Sequence, residues 1–234
     1  MQIDGARTLV VGATGVLGSA LTRALATGGA RCVVTGRDPE RLDALEGPGK
    51  GIEASLALDL LDVAAARAAV RRTADILGGL DLVVVATGVA AFGPSSETSD
   101  EVVEELFAIN TLGPVAVLSE ASAVVAEGGA LVALSAILAD APMAGMAAYS
   151  ASKAALTGYL TALRREMRRA GIDVLDVRPP HLETGLADRA IAGTPPAFPP
   201  GHDVDDLVST ILDGIRTSAK ELVWDPRAKG LALR

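Results

Sequence analysis

Apolar residues in this chain gather in short runs, and longer stretches with helical periodicity separate them. Short runs without polar alternation suit strands covered on both faces, whereas amphipathic stretches suit helices lying on them. The runs Thr8–Val11, Arg31–Thr35, Gly51–Leu58, Leu80–Ala86, Gly129–Leu134, Ile172–Val177 and Lys220–Trp224 predict seven strands. Helices are predicted from the 15–18 region to about Thr27, over Pro39–Leu45, Asp62–Leu77 and Ser99–Ile109, from Ala147 to about Arg169, and over Val204–Arg216. Asn110-Thr-Leu-Gly113-Pro114 interrupts one helical run, which resumes to about Ala126; a polar Asn before Gly-Pro predicts a kink there. Asp38, with proline following it, and Asp203 are placed to cap helices. Regular alternation of strand and helix predicts an α/β fold with a doubly wound parallel sheet. Residues 140–145 read as a loop, and 185–201, rich in Ala, Gly and Pro, as a mobile lid. No repeat, charge block or linker divides residues 1–234, so one domain is expected.

Composition narrows the partners. Hydrophobic residues make up 50% of the 234 positions, which excludes a disordered chain. Aromatics are only 3%, leaving Ala, Val, Leu and Gly to pack helices close to the sheet. The formal charge is −8 and no Lys/Arg run occurs, which argues against nucleic acid or an anionic membrane as partner. Cys32 is the only cysteine, so neither an internal disulfide nor a cysteine-built metal site is expected. No uncharged stretch reaches the roughly 18 residues of a membrane span. The start, Met-Gln-Ile-Asp-Gly-Ala-Arg, lacks a signal-peptide core; a cytoplasmic protein is the expectation.

Candidate chemistry begins after the first strand, where Gly12-Ala-Thr14-Gly15-Val16-Leu17-Gly18 opens a helix. Glycines there let the backbone turn tightly and let a pyrophosphate approach the helix N-terminus. The plain alternative is a glycine-rich turn without a ligand. At the tip of the second strand, an acidic residue would bind a free ribose 2′-hydroxyl. This chain instead offers Arg37, which suits a 2′-phosphate, so NADP(H) is favoured and NAD(H) remains possible. Asp59, followed by Leu60, suits an adenine amino group or a helix cap equally well. Gly88, after the fourth strand, would let the backbone pass close to a cofactor.

Tyr149 and Lys153 lie four apart on the long helix and share one face. A phenol has an ordinary pKa of about 10 and is a weak acid–base group at neutral pH. A neighbouring ammonium favours the phenolate and lowers that value, which would let the pair move a proton to or from a substrate oxygen. A surface tyrosine beside a solvated lysine gives the same spacing by chance.

Taken together, the glycine turn, the mid-chain Asn110 and Tyr149-x-x-x-Lys153 make the whole chain resemble a short-chain dehydrogenase/reductase. The resemblance implies a seven-stranded Rossmann sheet, bound NAD(P) and hydride transfer between nicotinamide and a carbonyl or alcohol carbon. It implies that Tyr149 is the acid/base, that Lys153 tunes it and bonds the nicotinamide ribose, and that Asn110 holds a relay water. It implies that Thr184 bonds the carboxamide and that Pro179 and Leu182 line the cofactor. Gly12, Thr14, Gly15, Val16, Leu17, Gly18 and Arg37 would hold the phosphates and adenosine, with Asp59, Leu60 and Gly88 alongside. Departures accompany it. The spacing of glycines at 12, 15 and 18 is more usual in extended and atypical branches, and Val11 stands where a threonine is usual. Val85-Ala86-Thr87-Gly88 replaces Asn-Asn-Ala-Gly, and Pro180 replaces a glycine. The family's catalytic serine falls at Ala136, thirteen residues before Tyr149, while Ser135 lies fourteen before. Ser135 would have to swing into place through a one-residue bulge, with His181 and Thr87 as substitute donors. The leading expectation is an NADP-dependent oxidoreductase for a small carbonyl/alcohol substrate with an apolar part. A cofactor-binding regulator without turnover, and a dehydratase or epimerase, stay open. Small residues at Ala147, Ala148, Ala151 and Ala155, with the family's habit, imply a homodimer or homotetramer.

Overall fold

The structure is a computed structural model that describes residues 1–45 and 51–234. Strands β1 (Arg7–Val11), β2 (Arg31–Gly36), β3 (Ile52–Ala57), β4 (Leu80–Val85), β5 (Val125–Leu134), β6 (Asp173–Arg178), β7 (Glu221–Asp225) and β8 (Gly230–Leu233) form one sheet. Their order is β3-β2-β1-β4-β5-β6-β7-β8, parallel except for the antiparallel β7–β8 pair. The seven-strand expectation is thus corrected to eight. The extra strand is four residues long, too short to show a period, and it forms because Asp225 accepts from the amides of Arg227 and Ala228 and reverses the chain.

Alternation along each strand feeds two cores. Leu9, Val11, Val83, Leu131 and Val174 face one side, beneath α3 (Val63–Leu77), α5 (Gly113–Ala121) and α6 (Ala147–Met167). Val10, Val34, Val84, Val132 and Val177 face the other, beneath α1 (Val16–Thr27), α2 (Pro39–Asp43) and α7 (Val204–Thr217). Fully burying each Leu or Val is worth about 1.5–3 kcal/mol, and this double layer requires the unbroken apolar strands seen in the sequence. Helix starts follow the expected chemistry: Asp38 accepts from the amides of Glu40 and Arg41, and Asp203 from that of Asp206. The start of α3 is capped by Asp62, while Asp59 accepts from the amide of Leu61 in the preceding turn.

Two boundaries differ from expectation. The kink at Asn110 is a π-helical turn, Ala108–Leu112, that joins α4 (Asp100–Phe107) to α5 with the axis continuing. Pro114 sits at the start of α5, where its missing N–H costs little. That helix also stops at Ala121 rather than near Ala126, because β5 begins at Val125. Val125 pairs with Leu80, but the ladder then skips to Ala130 opposite Leu82, so residues 126–129 bulge out of it, with Gly128 at φ +79°. The segment Asp100–Ala121 is long and apolar enough to span a bilayer by length and composition alone, but half of it is buried inside the fold.

The strand order reverses between β1 and β4, which leaves a crevice at the carboxyl ends of the strands, where α/β sheets bind ligands.

Candidate functional site

A cavity of about 490 Å³ occupies this crevice, walled by residues that follow β1, β4, β5 and β6 and by the start of α6. Gly15, Val16, Leu17 and Gly18 form its floor, with Gly88, Ser135, Tyr149, Lys153, Pro179, Leu182 and Thr184 around it. Most of the residues singled out in the sequence therefore meet in one place. Gly12, Thr14, Arg37, Asp59, Leu60 and Asn110 do not line the cavity itself.

The glycine turn is built by close packing. Gly12 has φ +86°, and a Cβ there would lie 2.6 Å from Thr87 Cγ2. A Cβ on Gly18 would lie 2.1 Å from the Gly12 carbonyl oxygen, so α1 starts directly against the turn. The first turn of α1 has neither a side-chain cap nor an acidic residue, which leaves its amide donors directed to the crevice. This donor set fits a diphosphate group. Just past the tip of β2, Arg37 is exposed. Arg41, unremarked in the sequence, donates from Nη2 to the Thr14 carbonyl, placing a second guanidinium beside the turn. Its signal was faint: one arginine among the charged residues of a short exposed helix.

Tyr149 is 7% exposed and packs with Val89, Phe92, Ala136 and Met146. Burial pushes its phenol up to about 12, the opposite of the lowering expected from Lys153. The reason is where the lysine goes: Lys153 Nζ donates to the carbonyls of Leu134 at 3.0 Å and Thr87 at 3.4 Å. Burial pulls Lys153 down to about 8, and the Asp176 carboxylate counteracts part of that. Asn110 is fully buried, accepting from the Val89 amide and donating to the Val89 carbonyl, both at 2.9 Å, and donating to Ser152 Oγ at 3.1 Å. Its side chain therefore ties the π turn to the strand end that carries Gly88. A Cβ on Gly88 would lie 3.2 Å from Lys153 Nζ and 3.3 Å from Asn110 Oδ1, so that glycine gives both polar groups their room.

Ser135 lines the cavity, yet its hydroxyl donates to Asp176 Oδ1, with the Val177 carbonyl a second acceptor at 3.3 Å. The next residue, Ala136, presents its methyl group to the apolar cluster that contains Tyr149. The Thr87 hydroxyl is buried without a hydrogen-bond partner. His181 stacks on Phe198 with ring centroids 4.5 Å apart, and its Nε2 lies 3.6 Å from Glu183 Oε1.

The 185–201 loop closes over the cavity. Ile191 donates to the Ala90 carbonyl, Ala192 accepts from the Phe92 amide, and His202 donates to the His181 carbonyl. Leu186, Ala187, Ile191 and Phe198 cover the apolar wall formed by Ala90, Phe92 and Met146. Sequence reading identified the loop but not Phe92, Leu138, Met143 and Met146, which form the wall opposite it; apolar residues in turns carry no periodic signal.

Comparison with known proteins agrees with this architecture. The family model described as short chain dehydrogenase matches residues 6–194. D-threitol dehydrogenase of Mycolicibacterium smegmatis is 30% identical over 89% of this chain and 80% of its own length. A dehydrogenase/reductase from Sinorhizobium meliloti superposes with a TM-score of 0.80 at 28% identity, covering 90% of this chain and 88% of that one. A short chain dehydrogenase from Burkholderia cenocepacia, solved in complex with NADP, gives a TM-score of 0.79 at 26% identity, covering 92% of both chains.

Proposed function

The chain belongs to the short-chain dehydrogenase/reductase family, and from that membership we propose that it interconverts a carbonyl and an alcohol with NADP(H) as hydride partner. The observation that carries this reading is the meeting of the uncapped α1 start, Tyr149 and Lys153 in one cavity. The amide donors of α1 hold the diphosphate, Arg37 favours a 2′-phosphate, and Arg41 braces the turn through the Thr14 carbonyl. When bound, the nicotinamide supplies or accepts the hydride. In the reductive direction, the Tyr149 phenol donates its proton to the substrate oxygen. Lys153, four residues on along α6 and held by the Leu134 carbonyl, supplies the site's positive charge, although in the free protein burial outweighs its pull on the phenol. The walls around Tyr149 are apolar and exclude water. They suit a ketone or aldehyde with an apolar body. The NADP in the Burkholderia relative supports the cofactor choice.

The test is NADPH consumption with a panel of apolar ketones and aldehydes, comparing the wild type with Tyr149→Phe. Loss of the acid/base group is expected to cost about 10²- to 10⁴-fold in turnover. Equal turnover in the two proteins would refute the reading. A second reading, cofactor binding without turnover, is favoured by the Ala136 methyl where the family carries a serine hydroxyl. It expects NADPH binding and no Tyr149-dependent conversion of any substrate in the panel.

A further inference from the structure

Beneath α6 lies a buried ionic cluster that the proposed reaction does not use. Asp176 is 1% exposed and Arg178 6%, inside the sheet layer where apolar residues otherwise prevail. Placing a carboxylate there costs several kcal/mol of lost hydration unless partners replace the water. The partners are incomplete. Asp176 Oδ1 accepts from Ser135 Oγ, while Oδ2 lies 3.5 Å from Arg178 Nε without a closer hydrogen bond, and Thr157 of α6 adds a contact to the carboxylate. The other ends of the Arg178 guanidinium are occupied by Asp140 and by Glu221, each at 2.8 Å. Asp176 therefore carries its charge inside the protein among Ser135, Thr157 and Arg178.

Strand geometry says where that charge acts. In β6, Val174 faces the core under α6, so Asp176, two residues on, faces the same way. Asp176 pairs in register with Ala133, and Leu134, the next residue of β5, gives its carbonyl to Lys153 Nζ. Lys153 and Arg164 lie on α6, above this part of the sheet. The charged groups around Asp176 are thus Lys153 and Arg164 from α6 and Arg178 from β6, with Glu221 of β7 and the Asp140 loop beyond Arg178.

We propose that Asp176 is a positioning residue of the proton-transfer site, which from within the sheet keeps the Lys153 ammonium charged and aligned, and that Ser135 serves to hold this carboxylate rather than to bind substrate. The inference rests on the acid/base role given above to Tyr149 and Lys153. It explains why a serine at the cavity wall turns its hydroxyl inward. Burial works against charge on both Lys153 and Asp176; the Asp176 carboxylate favours the charged lysine, while Ser135, Arg178, Thr157 and Arg164 favour the carboxylate.

The direct test is a lysine-selective ¹H–¹⁵N NMR titration of the full chain without ligand. Only four lysines are present, Lys50, Lys153, Lys220 and Lys229, and the Lys153 signal is assigned by its loss in Lys153→Met. In Asp176→Asn, which keeps shape and removes charge, the Lys153 midpoint is expected to fall by about one pH unit, a roughly tenfold loss of proton affinity. An unchanged midpoint overturns the proposal. If Asp176→Asn does not fold, Ser135→Ala serves, because loss of its hydrogen bond disfavours the carboxylate anion; a smaller fall in the same direction is expected, and none overturns the proposal. This readout needs no turnover, so failure of the Tyr149→Phe comparison and failure of the titration are separate results.

Discussion

Asn110 closes both polar ends of its amide on the backbone of Val89, accepting from its N–H and donating to its carbonyl. That pair fastens the π turn to the segment that carries Gly88. It gives the buried asparagine a structural job that is independent of any relay water. Asn110→Ala would leave two buried backbone groups of Val89 unpaired, at about 1–3 kcal/mol each. We expect urea unfolding to show a loss of about 2–4 kcal/mol, with a similar loss for Asn110→Asp, whose carboxylate repels the Val89 carbonyl. A variant as stable as wild type would show that water replaces the amide there.

Ala136→Ser restores a hydroxyl donor at the wall next to Tyr149. One donor aimed at the developing charge on a substrate oxygen is worth about two to three orders of magnitude in rate at well-formed sites. A gain of at least roughly tenfold in kcat with an apolar ketone is expected, because the site has not been refined around the added group. Ser135→Ala, which removes a hydroxyl already donated to Asp176, is expected to change kcat much less than Tyr149→Phe does. Should Ser135→Ala abolish turnover and Ala136→Ser leave it unchanged, Ser135 would be the donor after all.

At the adenosine end, the two arginines should separate in binding experiments. Arg37→Ala removes a guanidinium suited to the 2′-phosphate, and calorimetry should show NADPH binding weakened by about tenfold or more with NADH binding little changed. Arg41 already donates to the Thr14 carbonyl, so Arg41→Ala should loosen the turn and weaken both cofactors. Equal weakening of both by Arg37→Ala would move the 2′-phosphate contact elsewhere.

Stability should depend on pH through Lys153. Burial pulls its ammonium to about 8 from an ordinary 10.5. Between those values the unfolded chain binds more protons than the folded one, so stability rises with pH across the window, and the cost of burying the charge is complete below it. Tyr149 acts in the opposite sense above pH 10: its phenol, pushed to about 12, keeps a proton that the unfolded chain has lost, and stability falls from there. Lys153→Met removes this dependence, so its stability relative to wild type is expected to fall as pH rises from about 8 to 10, with the Leu134 carbonyl left unpaired and Asp176 losing a nearby cation setting its level at pH 7. Denaturant midpoints across that range provide the measurement, and a pH-independent difference would contradict it.

What the sequence disclosed was whatever local chemistry decides. The apolar run before Gly12, the cap at Asp38 and the four-residue spacing of Tyr149 and Lys153 all act within a few residues, and each was legible. The early start of β5 at Val125 was not, because it rests on a single pairing with Leu80 before residues 126–129 bulge out of the ladder. The π turn at 108–112 was read as a kink: the interruption was visible, but the geometry that bridges it depends on Val89. At the site, Ala136 could be counted back from Tyr149. The engagement of Ser135 by Asp176, 41 residues away, could not. Lys153 was expected to act on the phenol, and its preference for the carbonyls of Leu134 and Thr87 arises from how β4 and β5 end.

The close seating of Gly18 on the Gly12 carbonyl binds two selective pressures to the same atoms. A side chain at 18 would collide with backbone, so a variant that spoils the phosphate cradle there also spoils the joint between β1 and α1. Loss of binding and loss of folding cannot be told apart at that position. Gly15 is different, since a Cβ there meets its nearest neighbour, the Gly12 carbonyl oxygen, at 3.4 Å. The floor of the cavity thus has one glycine fixed by architecture and another left to ligand recognition, and changes in cofactor use have room to begin at the second.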